Sequence, residues 1–167
     1  KIVQQKNNAD ARGWLRETHS NKVINYNPFV FEYCTTSKKN VLRGFHFQTH
    51  FQQAKYVNVI KGKILDCVID LRENSKTFGK YFSIILSDKN CLGLYIPEGF
   101  AHAYFSYEKL NIIYYKLTNY YKPKYENGIV WNDSSLKIKW PIKKPSVSNK
   151  DRNLKSFSFF CRSIKGL

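Results

Sequence analysis

Residues 56–71 read YVNVIKGKILDCVIDL, and this stretch decides the fold. Residues 56–60 and 64–71 are short runs rich in apolar and β-branched side chains, separated by the turn sequence KGK. Runs of this length, bounded by glycine and lysine, are typical of β-strands rather than helices. The stretch therefore predicts two consecutive strands that are joined at residues 61–63.

The second run alternates with a period of two, as a strand with one buried face does. One of its faces is apolar throughout and consists of Leu65, Cys67, Ile69 and Leu71. The other face carries Asp66 and Asp70. We expect the apolar face to pack on the core and both aspartates to lie at the surface, with a cavity as the alternative position for Asp66.

Similar runs follow along the chain, and turn residues separate them. They lie at residues 41–48, 80–86, 92–97, 103–108 and 111–121. Many short strands with few helical segments predict an all-β sandwich or barrel, with a jelly roll as the preferred form. We treat residues 1–167 as one domain. Residues 1–10 are polar and predict a loop or a frayed end, and residues 152–167 form a second peripheral segment with apolar side chains.

The chain is strongly basic, with a net charge of +16 from 28 Lys and Arg against 12 Asp and Glu. This charge predicts an anionic partner, which could be nucleic acid, an acidic membrane surface or a phosphorylated small molecule. The lysines are spread along the chain, so the pattern disfavours nucleic acid. The chain has no apolar run of about 18 residues, which disfavours a membrane span and favours a cytoplasmic location.

Two histidines, His46 and His50, lie four positions apart in LRGFHFQTHFQQAK (residues 42–55). A metal site would need a third ligand, and no other candidate ligand is close in sequence. A packed histidine at position 46 and an exposed one at position 50 are simpler interpretations. A third interpretation is a general base, which requires a carboxylate that holds the far ring nitrogen.

Several longer motifs together resemble the nucleotide-sugar 3,5-epimerases. They are VLRGFHFQ (41–48), QAKYVNVIKGKILDCVIDLRENSKTFGKY (53–81), LYIPEGFAHAYFSYE (94–108), YYKLTNYYKPKYENGIVWND (114–133), IKWPI (138–142) and SNKDR (148–152). The resemblance implies a cupin-like β jelly roll that forms a homodimer. It also implies an isomerase that acts on dTDP-4-keto-6-deoxy sugars without a metal or another cofactor.

The resemblance assigns catalytic roles to four residues. His46 matches the base, Asp151 its supporting carboxylate, and Tyr115 the acid that returns a proton on the opposite face of the sugar. Lys55 matches the cation that stabilises the enolate, which forms because the C3 and C5 hydrogens lie next to the C4 ketone.

The resemblance also assigns substrate contacts. The matching positions are Arg12, Glu17, Arg43, Gln48, His102, Tyr121 and Glu126. The two arginines can bind diphosphate oxygens through forked hydrogen bonds, and Tyr121 matches the aromatic residue on which the nucleotide base stacks.

The chain departs from the family pattern at Phe31 and Tyr33, where an amide pair, Gln-x-Asn, is usual. Side chains with different hydrogen-bonding capacity change what the ligand contacts, so the nucleotide and the sugar stay open. Whether C3, C5 or both are inverted is also open. A 3,4-ketoisomerase on the same fold and a non-catalytic cupin that binds a nucleotide sugar or nucleic acid are the alternatives.

Overall fold

The computed structural model describes residues 1–24, 27–164 and 167, and most of its regular structure is antiparallel β-strand. Its strands are β1 (Ile2–Gln4), β2 (Asn7–Asp10), β3 (Gly13–Arg16), β4 (Phe31–Ser37), β5 (Leu42–Gln48), β6 (Lys55–Lys61), β7 (Lys63–Asp70), β8 (Tyr81–Ser87), β9 (Leu92–Ile96), β10 (Phe100–Ser106), β11 (Asn111–Leu117) and β12 (Glu126–Gly128). Its helices are a 3₁₀ turn (Pro123–Tyr125), α1 (Asn149–Arg152) and α2 (Phe157–Ser163).

Two five-stranded sheets form the body of the protein. The first has the strand order β1-β9-β6-β11-β4, and the second has the order β12-β5-β10-β7-β8. Strands β2 and β3 form a separate hairpin. The sheets bury an apolar core between them, which includes Val57, Val59 and Ile113 from the first sheet and Ile64 and Val68 from the second. The predicted all-β jelly-roll architecture is confirmed.

The stretch that predicted two strands forms a corner between the sheets. Strands β6 and β7 are separated only by Gly62, yet β6 belongs to the first sheet and β7 to the second. Gly62 has a φ of +88°, and a Cβ atom there would lie 2.6 Å from the Leu110 carbonyl oxygen. Only glycine fits this position, because other residues rarely adopt this φ and would clash.

The surface positions expected for Asp66 and Asp70 are wrong. Asp66 is 0% exposed and Asp70 is 2% exposed. The apolar face of β7 packs outward against a layer contributed by the C-terminal segment, with Cys67 and Ile69 in one cluster with Phe160. Because this layer covers the outside of the second sheet, the other face of β7 is directed between the sheets rather than to solvent.

Both peripheral segments are integrated into the fold. The loop expected over residues 1–10 is wrong, since β1 pairs with β9 through Val3 and Gly93 and β2 belongs to the hairpin. β1 forms because the edge strand β9 of the first sheet offers hydrogen-bonding partners, and the polar sequence of residues 1–10 does not indicate this pairing. At the other end, α2 docks through Phe160, which is 2% exposed.

Candidate active site

A cavity of about 210 Å³ opens between the two sheets. Eight of the eleven predicted site residues line it, and they come from both sheets. The cavity is lined by Tyr33, Thr35, Arg43, His46, Phe47, Gln48, Gln53, Lys55, His102, Tyr104, Tyr115, Tyr121 and Glu126. Chemically diverse side chains therefore converge here from segments that are distant in sequence.

A register shift in β5 brings Arg43 and His46 to the same cavity. His46 pairs with His102 of β10, and Arg43 pairs with Tyr104, so β5 spans three steps where β10 spans two. This extra residue is a β-bulge, which rotates the strand and breaks strict alternation. Two residues three positions apart can then face the cavity together.

His46 is paired with a buried carboxylate. The Nε2 atom of His46 lies 2.7 Å from Oδ1 of Asp151, and the side chains are 31% and 4% exposed. Asp151 lies in α1, and its other oxygen accepts a hydrogen bond from the Gly44 N–H at 3.2 Å. Burial raises the pKa of the Asp151 carboxyl, but the bond from His46 and its charge outweigh burial and leave that pKa lowered. An ionised Asp151 fixes the proton on Nε2 of His46 and leaves Nδ1 free to accept one.

Lys55 is a buried cation in the wall formed by the first sheet. It is 8% exposed, and its Nζ donates to the His46 carbonyl oxygen at 3.4 Å. Burial lowers the pKa of Lys55 to about 8, while the carboxylates of Asp66 and Glu126 oppose that shift. Below that pH the cavity contains a poorly solvated positive charge, which is well suited to stabilise a developing oxyanion.

Tyr115 lies in the same wall and is 3% exposed. Its ring stacks on Tyr33 at a centroid distance of 4.8 Å and meets the edge of His102 at 6.0 Å. Burial, with nearby Tyr104, raises the pKa of Tyr115 well above its usual value, so its phenol stays protonated at neutral pH.

His102, which lines the cavity, is paired with a second buried aspartate. Nε2 of His102 lies 2.8 Å from Oδ2 of Asp66, and the side chains are 6% and 0% exposed. The sequence analysis offered a cavity only as the alternative for Asp66. The structure buries Asp66 and bonds it to His102, so Asp66 contacts a cavity residue without lining the cavity itself.

The cavity mouth is built around Glu126. It accepts hydrogen bonds from the Tyr121 hydroxyl and from Lys150 Nζ, the latter at 2.6 Å. Arg43 stands nearby and donates to Ser37 Oγ at 3.1 Å. Exposed cations and an aromatic ring therefore surround the opening.

Gln48 faces the cavity but its amide is engaged by main-chain groups. Its Nε2 donates to the Phe51 carbonyl at 2.7 Å, and its Oε1 accepts from the Lys122 N–H at 2.6 Å. These bonds hold two loops beside the mouth. His50 is exposed outside the cavity, as expected.

Two predicted site residues, Arg12 and Glu17, do not reach this cavity. Arg12 lies at the turn of the β2–β3 hairpin, where it pairs with Asp10 at 2.6 Å and is 90% exposed. Glu17 pairs with Lys6 at 3.7 Å. Within one chain, the structure separates both of them from the other site residues.

The described part of the chain contains no group of three or more His, Cys, Asp or Glu residues that could hold a metal ion. Among the same residues, none of the helices is long and apolar enough to cross a membrane.

Comparison with known proteins decides which family has this arrangement. Residues 1–158 match the family model described as dTDP-4-dehydrorhamnose 3,5-epimerase. The chain belongs to this epimerase family. Its relatives include the dTDP-4-dehydrorhamnose 3,5-epimerase of Methanothermobacter thermautotrophicus, which is 39% identical over 92% of this chain and 87% of its own. That of Shigella flexneri is 37% identical over 93% and 90%.

Solved epimerase structures share the fold. The Bacillus anthracis enzyme, with TDP and PPi bound, superposes with a TM-score of 0.90 at 34% identity and covers 93% of each chain. The Legionella pneumophila enzyme, in complex with dTDP-4-keto-L-rhamnose, gives a TM-score of 0.92 at 32% identity, covering 98% of this chain and 90% of that one. The cupin-like family resemblance inferred from the motifs is confirmed.

Asp66 and Lys150 are bonded to the lining residues His102 and Glu126, and Tyr33 lines the cavity itself, but none of the three was predicted as a site residue. Asp66 was expected at the surface, Tyr33 was noted only as a departure, and Lys150 was not singled out. The presence of an aspartate in an apolar strand was the one signal for Asp66. Nothing local in the sequence indicates that Lys150 pairs with Glu126, because the two meet only through the loops at the mouth.

Proposed function

We propose that this protein epimerises C3, C5 or both of a nucleotide-activated 4-keto-6-deoxy sugar, most simply a dTDP sugar. The observation that carries the proposal is the placement of His46, paired with Asp151 at 2.7 Å, and Tyr115 on opposite walls of one cavity. A base and an acid on opposite sides of a sugar ring are what inversion of a carbon centre needs.

The first step is proton removal by His46. Its Nδ1 takes the hydrogen from the carbon next to the C4 ketone, and the C–H electron pair forms a C=C bond while the C=O pair moves onto O4. The imidazolium that forms is stabilised by the Asp151 carboxylate. Lys55 stabilises the enolate oxygen, since a buried cation acts strongly on charge that develops in a dry site.

The second step is proton return by Tyr115. Its hydroxyl gives a proton to the opposite face of the same carbon, and the C=C pair forms the new C–H bond while the ketone is restored. The phenolate and the imidazolium then reset by proton exchange with solvent. The raised pKa of Tyr115 keeps the donor protonated before each turnover.

The mouth suits the nucleotide end of the substrate. Arg43 can contact the diphosphate, and Tyr121 can stack on a base. Lys150, which pairs with Glu126, adds a second cation at the same opening. The proposed substrate therefore enters sugar first.

We also propose that the protein is a homodimer in which the β2–β3 hairpin reaches the partner's cavity. Trp14 and Leu15 on this hairpin are 52% and 64% exposed, which suits an interface. Burial of the hairpin against a second copy would carry Arg12 and Glu17 to a site that they cannot reach within their own chain. Sedimentation equilibrium tests this, and a monomer at micromolar concentration contradicts it.

A cytoplasmic location and a role in deoxysugar synthesis for a surface polysaccharide follow from the substrate class. Localisation of a tagged chain by cell fractionation tests the first, and loss of a deoxysugar from the glycans after deletion of its gene tests the second.

The deciding experiment is incubation with dTDP-4-keto-6-deoxyglucose in heavy water, followed by NMR. We expect deuterium at C3, C5 or both, together with the inverted product. Movement of the carbonyl to C3 would instead indicate a 3,4-ketoisomerase. Absence of exchange, with folded protein and with GDP, CDP and UDP analogues also inert, contradicts the proposal.

A thermal-shift panel of dTDP, GDP, CDP and UDP identifies the nucleotide, since a ligand that binds the native state raises the unfolding temperature. We expect the largest shift with dTDP. A non-catalytic binder would show binding that weakens steeply with salt and no exchange into any sugar.

A further inference from the structure

The proposed mechanism leaves without a role one buried carboxylate that is bonded to the cavity residue His102. Asp66 is 0% exposed, and only one of its oxygens has a hydrogen-bond partner, which is His102. The other oxygen, Oδ1, is buried and has no partner among the residues described. An incompletely bonded buried carboxylate is costly, so its presence in this position calls for a compensating role.

Most of the side chains around Asp66 carry no full charge. Tyr104 lies directly opposite it on β10, and Ile84 lies opposite it on β8. The titratable groups near it on β10, β6, β11 and its own strand are His102, Tyr104, Lys55, Tyr115 and Cys67. Of these, Lys55 is the only one that carries a full positive charge as its ordinary state near neutral pH.

We propose that Asp66 is a positioning residue for the enolate-stabilising end of the cavity, because its carboxylate holds the His102 ring and supplies the counter-charge that keeps Lys55 a cation. The inference deepens the proposed function and rests on it. Asp66 acts through these two side chains and does not itself touch the substrate.

The electrostatics of Lys55 support this role. Burial lowers its pKa to about 8, and Asp66 is the larger of the two opposing influences, ahead of Glu126. With a neutral residue at position 66, the pKa of Lys55 would fall further, and a larger fraction of Lys55 would be uncharged at any given pH. The enolate oxygen would then face a neutral amine, which stabilises it much less.

The geometry of His102 supports it as well. Asp66 binds Nε2, so the ring is held with its Nδ1 side away from the carboxylate, and the ring lies edge-on to Tyr115 at 6.0 Å. A carboxylate that fixes one ring nitrogen sets both the tautomer and the orientation of the other.

The test is Asp66→Asn, which keeps an acceptor for His102 but removes the charge. The titration of Lys55 is followed by NMR of 13C-labelled lysine, with the resonance assigned through Lys55→Arg. We expect the Lys55 midpoint to move roughly one pH unit or more toward lower pH. The alkaline limb of the kcat/KM profile should move with it, because activity requires the protonated amine. An unchanged midpoint overturns the inference, even if activity falls.

Asp70→Asn is the matched control, since Asp70 lies on the same strand, is also buried, and binds Arg72, Ser75 and Thr77 outside the cavity. It should leave the Lys55 midpoint unchanged, and an equal shift there would overturn the inference. If Asp66→Asn does not fold, the smaller neutral Asp66→Ser takes its place. An inactive wild type with the expected midpoint shift would contradict the proposed function alone.

Discussion

The two histidine–aspartate pairs have nearly equal distances, 2.7 Å for His46–Asp151 and 2.8 Å for His102–Asp66, but different surroundings. The first pair joins a strand to α1, more than a hundred positions away, and leaves the histidine 31% exposed. The second joins two neighbouring strands and is almost fully buried. The bond itself therefore does not define the role. Access to the substrate makes the first pair a candidate base, whereas burial beside Lys55 makes the second an electrostatic support.

The largest expected effect comes from breaking the first pair at its histidine. His46→Ala removes the group that accepts the proton, so deuterium exchange into the sugar should fall by about 10²- to 10⁴-fold. Rates of exchange at C3 and C5 by NMR measure it. His50→Ala is the control and should retain the wild-type rate, since His50 is exposed outside the cavity. Full exchange in His46→Ala would assign the base elsewhere.

Breaking the same pair at its aspartate should cost somewhat less. The carboxylate of Asp151 accepts from both His46 and the Gly44 N–H, whereas an asparagine has a single acceptor oxygen. Asp151→Asn thus leaves one donor unsatisfied and removes the charge that stabilises the imidazolium. We expect kcat to fall about 100-fold with the fold retained. A kcat within threefold of wild type would show that the pair is structural.

Near the buried His102–Asp66 pair, substitution of Lys55 should lower activity and increase stability. Because the pKa of Lys55 is lowered to about 8, the protonated form of Lys55 lowers the free energy of unfolding at neutral pH. Lys55→Met should raise the free energy of unfolding by about 1–3 kcal/mol at pH 7 while lowering kcat about 100-fold. Urea denaturation measures the first effect, and a less stable variant would contradict it.

The pH dependence of this effect has a defined sign. Between about pH 8 and the ordinary lysine pKa of 10.5, the unfolded chain binds more protons than the native state, so wild-type stability rises with pH. Below pH 8 the full cost of the buried cation is present. The difference between Lys55→Met and wild type should therefore shrink as pH increases from 8 to 10.5.

The smallest expected effect concerns Tyr33, which stacks on Tyr115 next to the buried pair. Tyr33→Phe retains the ring and should leave kcat within about twofold. Tyr33→Leu loses the stacking and should lower kcat about fivefold, which corresponds to roughly 1 kcal/mol. Steady-state kinetics separates the two variants, and equal losses in both would assign the effect to the phenol instead.

The sequence predicted the strands well because their apolar runs are local signals. β6 and β7 begin and end within one residue of the predicted positions on both sides of Gly62. The polar strands β1 and β2 were not predictable, since their pairing partners, β9 and β3, rather than their side chains create them. The burial of Asp66 was missed for a similar reason, because it depends on a C-terminal layer that docks on the far side of β7.

The site was predictable only to the extent that motifs carry it. The resemblance across several sequence segments predicted that His46, Lys55, Tyr115 and Asp151 belong to one site. It could not indicate that Arg12 stays outside the cavity of its own chain, because that depends on where a hairpin projects. It also could not indicate that the Gln48 amide forms hydrogen bonds with the main chain of two neighbouring loops.

The corner at Gly62 has a consequence for how the substrate enters. It ties the strand that carries Lys55 directly to the strand that carries Asp66, and the N–H of Gly62 is also held by Asp88 Oδ2 at 3.1 Å. The two sheets are therefore connected at this corner by a single residue. A one-residue connection leaves this corner no loop length to rearrange, whereas Tyr121 and Lys150 are held to Glu126 at the mouth by side-chain hydrogen bonds, which a bound nucleotide sugar can replace.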